Sequence, residues 1–306
     1  MFSYRYMSML MEGNLDGSSS IAADEIATGA LNPFGMPPTL RVVPTRMRMD
    51  MHMFGAMFAP SERVTLMAMT SLLEKEMDHI TYMGGSGANV LGGFSTRTQG
   101  LGDTQVSALI ALSRHSAHRW HATVGLSLPT GSLDETDQVL TPMNTRPKLR
   151  LPYPMQLGSG TYDGLVGLTY SGLAGDWGWG SQWRSVLRLG ENDEDYTLPD
   201  EHTVQAWVSR RLHPRLSGSL RLAWIDRDNV DGRDPLISAP VQTADPNRHK
   251  GERLNLSAGL NWLIPGGDHR LAIEVGKTVR QRADGPQMEA DWQATFGWQW
   301  SRGAKN

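Results

Sequence analysis

The chain has 306 residues, a formal net charge of −3, no cysteine and a hydrophobic fraction of 39%. Acidic and basic residues are interspersed without a basic stripe, which argues against nucleic-acid binding, and the absence of cysteine excludes disulfides and thiolate metal sites. The longest apolar run, around Val106 to Leu112, is far shorter than the ~18 residues that a transmembrane helix needs.

The N-terminal residues Met1 to Met9 already alternate in the manner of a β-strand. An exported protein usually begins with a basic, then apolar, then small-residue signal peptide, and this sequence begins with none. We therefore expect the sequence to start inside a longer precursor.

Period-two alternation recurs along the chain in about twelve segments of roughly ten residues, the length that a tilted strand needs to cross a bilayer. From Arg119 to Leu128, for example, Trp120 and Leu126 alternate with His121 and Ser127. Further clear segments are Val106 to Leu112, Tyr162 to Tyr170, Trp177 to Leu189, Val204 to Leu212, Leu216 to Trp224, Arg253 to Leu263, Leu271 to Val275 and Asp291 to Trp300.

Short and long connections alternate between these segments. The long ones run from Glu12 to Pro38, His79 to Gly100, Thr130 to Gly160, Gly190 to His202, Asp226 to Gly251 and Arg280 to Gln287. Short periplasmic turns, long extracellular loops and outward tryptophans are typical of outer-membrane barrels. The sequence thus predicts one all-β domain over residues 1–306, a transmembrane antiparallel β-barrel of about 12 strands in the outer membrane of a Gram-negative bacterium. A large soluble β-sandwich is the alternative.

Three glycine-containing motifs follow one another at strand ends. They are Gly100-Leu101-Gly102-Asp103-Thr104, Leu128-Pro129-Thr130-Gly131-Ser132 and Leu157-Gly158-Ser159-Gly160-Thr161-Tyr162-Asp163. In order and spacing they resemble the outer-membrane transporter family named for the meta-cleavage pathway of phenol degradation, from about Val64 to the C-terminus. The resemblance implies an outer-membrane barrel that passes hydrophobic or aromatic compounds, and it implies no particular catalytic or binding residue. The methionine-rich N-terminal part departs from the family pattern.

The segment Met47-Arg48-Met49-Asp50-Met51-His52-Met53 places four methionines on one face of a strand. Thioether sulfur is a soft donor suited to Cu(I), and His52 could complete such a site if the methionine face is inward. If that face is outward, the methionines are flexible hydrophobes against lipid, and Arg48, Asp50 and His52 line the lumen. The charges at the alternate positions favour the outward methionines.

Four arginines on predicted inward faces, Arg184, Arg188, Arg221 and Arg253, form a candidate basic wall that would favour anionic solutes such as aromatic acids. Alternatively, these arginines pair with Asp163, Glu274 and Asp291 or with loop acids. The proline-rich loop from Thr130 to Gly160 is too long for a turn. It either folds in to constrict the pore or remains a disordered outer loop.

The sequence contains no nucleophile elbow, zinc-binding helix, phosphate-binding loop or dinucleotide fingerprint in its proper context, so we expect no enzyme. The predicted function is a channel or transporter for small solutes, by diffusion through a polar lumen and without a cofactor. The alternative is a copper-binding or copper-export component that uses the N-terminal methionines. The expected partners are membrane lipid, a small-molecule solute and the barrel assembly machinery, with no nucleic acid.

Overall fold

The computed structural model describes residues 1–114 and 117–301. In chain order its strands are β1 (Phe2–Gly17), β2 (Ser19–Ser20), β3 (Val42–Phe58), β4 (Val64–Tyr82), β5 (Val90–Leu101), β6 (Thr104–Arg114), β7 (His118–Leu128), β8 (Thr136–Gln138), β9 (Lys148–Arg150), β10 (Asp163–Ala174), β11 (Trp177–Arg188), β12 (Tyr196–Thr197), β13 (Glu201–His213), β14 (Leu216–Arg227), β15 (Asp231–Gly232), β16 (Gly251–Leu263) and β17 (His269–Trp300). The helical segments are α1 (Ala23–Gly29) and the 3₁₀ helices Tyr153–Met155 and Gln242–Ala244.

Eleven of these strands form a closed antiparallel ring in the order β17, β16, β14, β13, β11, β10, β7, β6, β4, β3 and β1, and pairing between β1 and β17 closes it. The 32 residues of β17 supply two arms, because residues 270–283 pair with β16 and residues 283–300 pair with β1. Counted by arms, the wall has twelve passes. The predicted outer-membrane-type β-barrel is confirmed.

Side chains alternate between the two faces of the wall as the sequence predicts. On β16, Leu256 and Trp262 are exposed on the outer face, whereas Asn255 and Ser257 are buried on the inner face. The end of the barrel with the termini and short turns is the periplasmic end, and the long loops lie at the extracellular end. Among the described residues, no helix is both long and apolar enough to cross a membrane.

The segment His79 to Gly100, predicted as a long loop, is instead mostly strand. β4 continues to Tyr82 and pairs with β5, so the connection comprises residues 83–89 alone. Here the exposed outer-face residues of β4 are charged, including Glu74 and Glu76, rather than apolar. A search for alternating hydrophobicity misses such a strand because it extends beyond the hydrocarbon layer. The segment Arg280 to Gln287 is likewise strand and turn inside β17, with Gly285 at φ +80°.

The extracellular loops pack together as a cap. A buried apolar cluster draws on three different loops and on the top of β3, through Val42, Tyr153, Tyr196, Val230, Ile237, Val241 and Ala244. A buried ion pair ties these three loops, since Arg150 Nη2 lies 3.1 Å from Glu194 Oε1 and Arg150 Nε lies 3.7 Å from Asp234 Oδ2. The extracellular mouth is therefore covered by folded structure.

Candidate functional site in the barrel lumen

The lumen widens at the periplasmic end into a cavity of about 960 Å³ whose wall is basic. Its arginines are Arg5, Arg184, Arg211, Arg215, Arg221 and Arg270. Glu274 is the one carboxylate among the described residues that line it. Positive charge in a confined space between low-dielectric walls raises the local concentration of anions.

Two of the six arginines are neutralised by a carboxylate, and one of these is Arg211, whose Nε lies 3.0 Å from Asp176 Oδ1. Arg221 donates to Gln205 Oε1 at 2.8 Å and forms an ion pair with Glu274, and Arg270 Nε donates to Asn261 Oδ1 at 3.0 Å. Arg5 and Arg184 have no ion pair within the described part of the chain. The predicted lumen residues Arg184, Arg221 and Glu274 thus come together in one cavity. Four arginines that were not predicted to line the lumen join them there: Arg5, Arg211, Arg215 and Arg270.

Other predicted lumen residues lie nearer the extracellular end. Arg188 forms an ion pair with the buried carboxylate of Asp163, which also accepts hydrogen bonds from Ser159 at 3.1 Å and Thr161 at 2.6 Å. Arg188 and Asp163 therefore follow the paired alternative. Arg253 shares the inner face with Arg227, which binds Glu201 at 3.0 Å, but Arg253 itself has no ion pair among the described residues.

Asp291 is placed differently from the prediction. It lies at a register shift in the pairing of β1 with β17, between the partners of Leu10 and Met11. Its Oδ1 faces Lys277 Nζ at 3.6 Å, and Lys277 pairs with Leu256 on the outer face. The extra residue at the shift turns the Asp291 side chain away from the inner face.

Trp207 is an aromatic element of the cavity wall. Its indole covers Gly180 on the neighbouring strand so closely that a Cβ there would lie 2.3 Å from Trp207 Cζ2. Only a residue without a side chain at Gly180 lets the indole lie flat on the wall. The cavity therefore offers an aromatic surface among guanidinium groups.

The three glycine motifs converge in space beside the lumen. Asp103 follows the break between β5 and β6, and its carboxylate accepts hydrogen bonds from the amides of Gly131 at 3.0 Å and Ser159 at 2.8 Å. A Cβ on Gly131 would lie 2.6 Å from the Cα of Gly158, so the two loop ends touch through glycine. Asp103 is a key residue that the sequence argument quoted only as part of a motif.

The proline-rich loop, residues 129–162, starts and ends at this junction and folds into the barrel. Lys75, on the inner face of β4, donates to the carbonyl oxygens of Pro154 at 2.9 Å and Gln156 at 2.5 Å. Thr98 of β5 donates to Met155 O at 2.9 Å. Of the two alternatives, the inward loop that narrows the pore is the one observed.

The methionine row also faces inward, opposite to the orientation that the sequence favoured. Met47 is buried, and Met53 lines the basic cavity together with Arg221 from the far side of the barrel. His52 lies on the other face, where its Nδ1 is 2.9 Å from the Tyr4 hydroxyl, so His52 cannot complete a site with Met47, Met49, Met51 and Met53. Arg48 and Asp50 face outward with it, as an ion pair at 2.9 Å.

Buried aromatic and imidazole groups stiffen the cap above the loop. Burial raises the pKa of Tyr153 to about 12 and also raises the pKa of Tyr196, with ring centroids 4.9 Å apart. Burial, aided by the positive charge of Arg227, lowers the pKa of His249 to about 4, and this imidazole packs edge-on against Tyr153 at 5.5 Å. These three side chains of the cap are thus neutral near pH 7.

A family model described as "Putative MetA-pathway of phenol degradation" matches residues 77–296. The chain belongs to this family. The matched region contains all three converging motifs, whereas Met47 to Met53 precede the matched region.

Solved outer-membrane barrels share the fold. An outer membrane channel from Pseudomonas putida F1 is similar with a TM-score of 0.61 at 15% identity, covering 97% of this chain and 92% of that chain. The transport unit of the autotransporter AIDA-I from Escherichia coli gives a TM-score of 0.55 at 9% identity, covering 98% and 90%. No curated protein sequence matches the chain. The protein is a β-barrel of the Gram-negative outer membrane.

Proposed function

We propose that this barrel is a passive outer-membrane channel for small organic anions, with aromatic carboxylates as the favoured class. The observation that carries the proposal is the cavity wall, where six arginines face one carboxylate. Rings or rows of one charge sign set the ion preference of a pore. Unpaired Arg5 and Arg184 supply a field that mobile anions, rather than protein carboxylates, would neutralise.

The aromatic part of the solute follows from the other lining groups. Trp207 presents an indole face, and Met7 and Met53 add polarisable thioethers on the opposite wall. An aromatic ring can stack on the indole while its carboxylate binds a guanidinium in a bidentate manner. A simple inorganic anion uses only the second contact.

Passage is by diffusion, with the proline-rich loop as the narrow point. The loop is held by Lys75 and Thr98 on one wall and joins the wall again at Asp103. Solute that crosses the cap must pass beside this part of the loop, with the carbonyl oxygens of Pro154, Met155 and Gln156, before it reaches the basic cavity. The mechanism needs no cofactor and no bond making.

Reversal potentials in planar bilayers under a potassium chloride gradient test the charge preference. We expect anion preference for the wild type and a clear loss of it in Arg184→Glu, because the substitution changes the lumen charge by two units. Arg280→Glu is the matched control, since Arg280 is exposed on the outer face of β17 and changes the net charge equally. Cation preference in the wild type, or equal effects of the two variants, would contradict the proposal.

The solute class needs its own measurement. Benzoate should reduce the chloride current at lower concentration than acetate does, and Trp207→Ala should remove the difference. Equal block by the two acids would leave an anion channel without aromatic preference.

A further inference from the structure

Five methionines from separate parts of the chain meet at the upper end of the inward methionine row. Met47, Met77, Met155 and Met288 form one buried cluster, and Met11 packs against it; we refer to these five residues as the methionine cluster. Met77 and Met155 are fully buried. Three strands, the C-terminal arm of β17 and the proline-rich loop thus each contribute one thioether.

The strand register places these side chains within reach of one another. Met47 is directly opposite Met11 on one side and Met77 on the other. Side chains directly opposite in an antiparallel pair have Cβ atoms about 4.5–5.5 Å apart, a spacing that lets two methionine side chains bind one ion between them. Met155 approaches from the loop, and Leu151 and Val139 cover the cluster.

A row of thioethers connects this cluster with the basic cavity. Met9 lies opposite Met49, and Met7 lies opposite Met51, one step further toward the periplasm. Met7 and Met53 line the cavity itself. The cluster is therefore the end of a continuous inner-face row that begins in open space.

We propose that the methionine cluster binds a single soft monovalent cation, Cu(I). Thioethers are neutral soft donors that suit Cu(I) and have little affinity for hard divalent ions. Among the described residues, no group of three or more His, Cys, Asp and Glu side chains could hold a metal ion. A chloride complex of Cu(I) is itself an anion and is not repelled by the arginines of the cavity.

The ammonium group of Lys75 lies near the cluster and would repel a bound cation, but hydrogen bonds hold it in place. Lys75 lies opposite Met49, but its ammonium points to the carbonyl oxygens of Pro154 and Gln156 and lies in the field of Asp103 and Glu135. The positive charge nearest the cluster is thereby compensated. The cluster itself adds no charge that would repel a cation.

The test is Cu(I) binding to the refolded full chain in detergent, under ascorbate and against the competing chelator bicinchoninate. We expect one tightly held ion with a sulfur-only coordination shell in X-ray absorption spectra. Met47→Leu combined with Met77→Leu should weaken binding by about tenfold or more. Leucine nearly conserves methionine volume, so the cluster stays packed. The matched control combines Met36→Leu with Met143→Leu, since these loop methionines are 83% and 84% exposed.

Chloride conductance identifies folded barrels in every sample, independently of copper. Absence of Cu(I) binding by conducting wild-type barrels would overturn the proposal, and so would a shell of nitrogen or oxygen ligands. A further double variant, Met49→Leu with Met51→Leu, separates the cluster from the row below it. If this variant loses the ion while Met47→Leu with Met77→Leu retains it, the assignment to the cluster is wrong.

Discussion

Replacing Lys75 by methionine should release the proline-rich loop from the barrel wall. The substitution removes two hydrogen bonds from a charged donor, to Pro154 O at 2.9 Å and Gln156 O at 2.5 Å. Hydrogen bonds to charged groups contribute about 1.5–3 kcal/mol each, and relief from burying an ammonium offsets part of the sum. We expect a net loss of about 2–3 kcal/mol in the free energy that holds the loop against the wall.

Such a loss raises the open population of the loop roughly 30- to 140-fold, because about 1.4 kcal/mol corresponds to a factor of ten. Hydrogen exchange measures it directly at the amides of Met155 and Gln156, which donate to loop carbonyl oxygens at 2.9 and 3.1 Å. These amides should exchange faster by that factor while the strands of the wall do not change. Lys277→Met is the control, since Lys277 is a strand lysine on the outer face and 73% exposed. Unchanged loop exchange in Lys75→Met would refute the anchoring role.

Three further predictions concern other parts of the molecule. The pKa of His249 is lowered to about 4, so its contribution to stability is complete above about pH 6.5 and is lost as pH falls from there to 4, by up to about 3 kcal/mol. Urea unfolding at pH 7.5 and 4.5 should show this loss, and His249→Gln should flatten it. Gly131→Ala should destabilise the barrel by about 1–3 kcal/mol, because its Cβ meets the backbone of Gly158 at 2.6 Å, and its melting temperature should fall below that of Gly29→Ala, where nothing lies within 4 Å. Trp207→Ala should leave single-channel conductance nearly unchanged, since the proline-rich loop rather than the cavity wall is the narrow point, and a clear rise in conductance would place part of the constriction at the indole.

The architecture was accessible from the sequence because the bilayer imposes a simple rule on every wall residue. Lipid on one side and water on the other produce the alternation seen along β7 and β16, where the predicted faces match the observed exposure. Arg184 and Arg221 could be placed in the lumen by the same rule. The inner and outer faces of a strand are predicted correctly where one face contacts lipid and the other contacts water.

The rule gave the wrong face for the methionine row because the upper part of β3 does not have water on its inner face and lipid on its outer face. At the top of β3 the inner face is filled by the proline-rich loop, and the outer face carries Arg48 and Asp50 as an ion pair beyond the hydrocarbon. Lower on the same strand, Phe54 and Phe58 are exposed to lipid. They lie on the same face of the strand as Arg48 and Asp50, because even numbers of residues separate all four. The positions of the two phenylalanines in the sequence therefore indicate that the charged residues face outward and the methionines face inward.

The convergence of the glycine motifs could not be foreseen from their spacing. Each motif was recognisable as a strand end, but the contact between Gly131 and Gly158 joins the two ends of one loop. The amides of Gly131 and Ser159, one from each end, donate hydrogen bonds to the carboxylate of Asp103. Such a contact depends on how a long loop returns to its origin, which local patterns do not encode.

The seam between β1 and β17 determines how this barrel can come into being. Thirteen residue pairs, from Phe2 opposite Trp300 to Gly17 opposite Ala283, join the beginning of the chain to its end. Until the second arm of β17 pairs with β1, two rows of unsatisfied backbone groups border the sheet, and hydrocarbon cannot form hydrogen bonds with them. A sheet whose C-terminal arm has not paired with β1 is therefore open, and the hydrocarbon of the membrane does not tolerate its edges. Closure of this seam, rather than the pairing of any internal strand, removes the last open edges of the barrel.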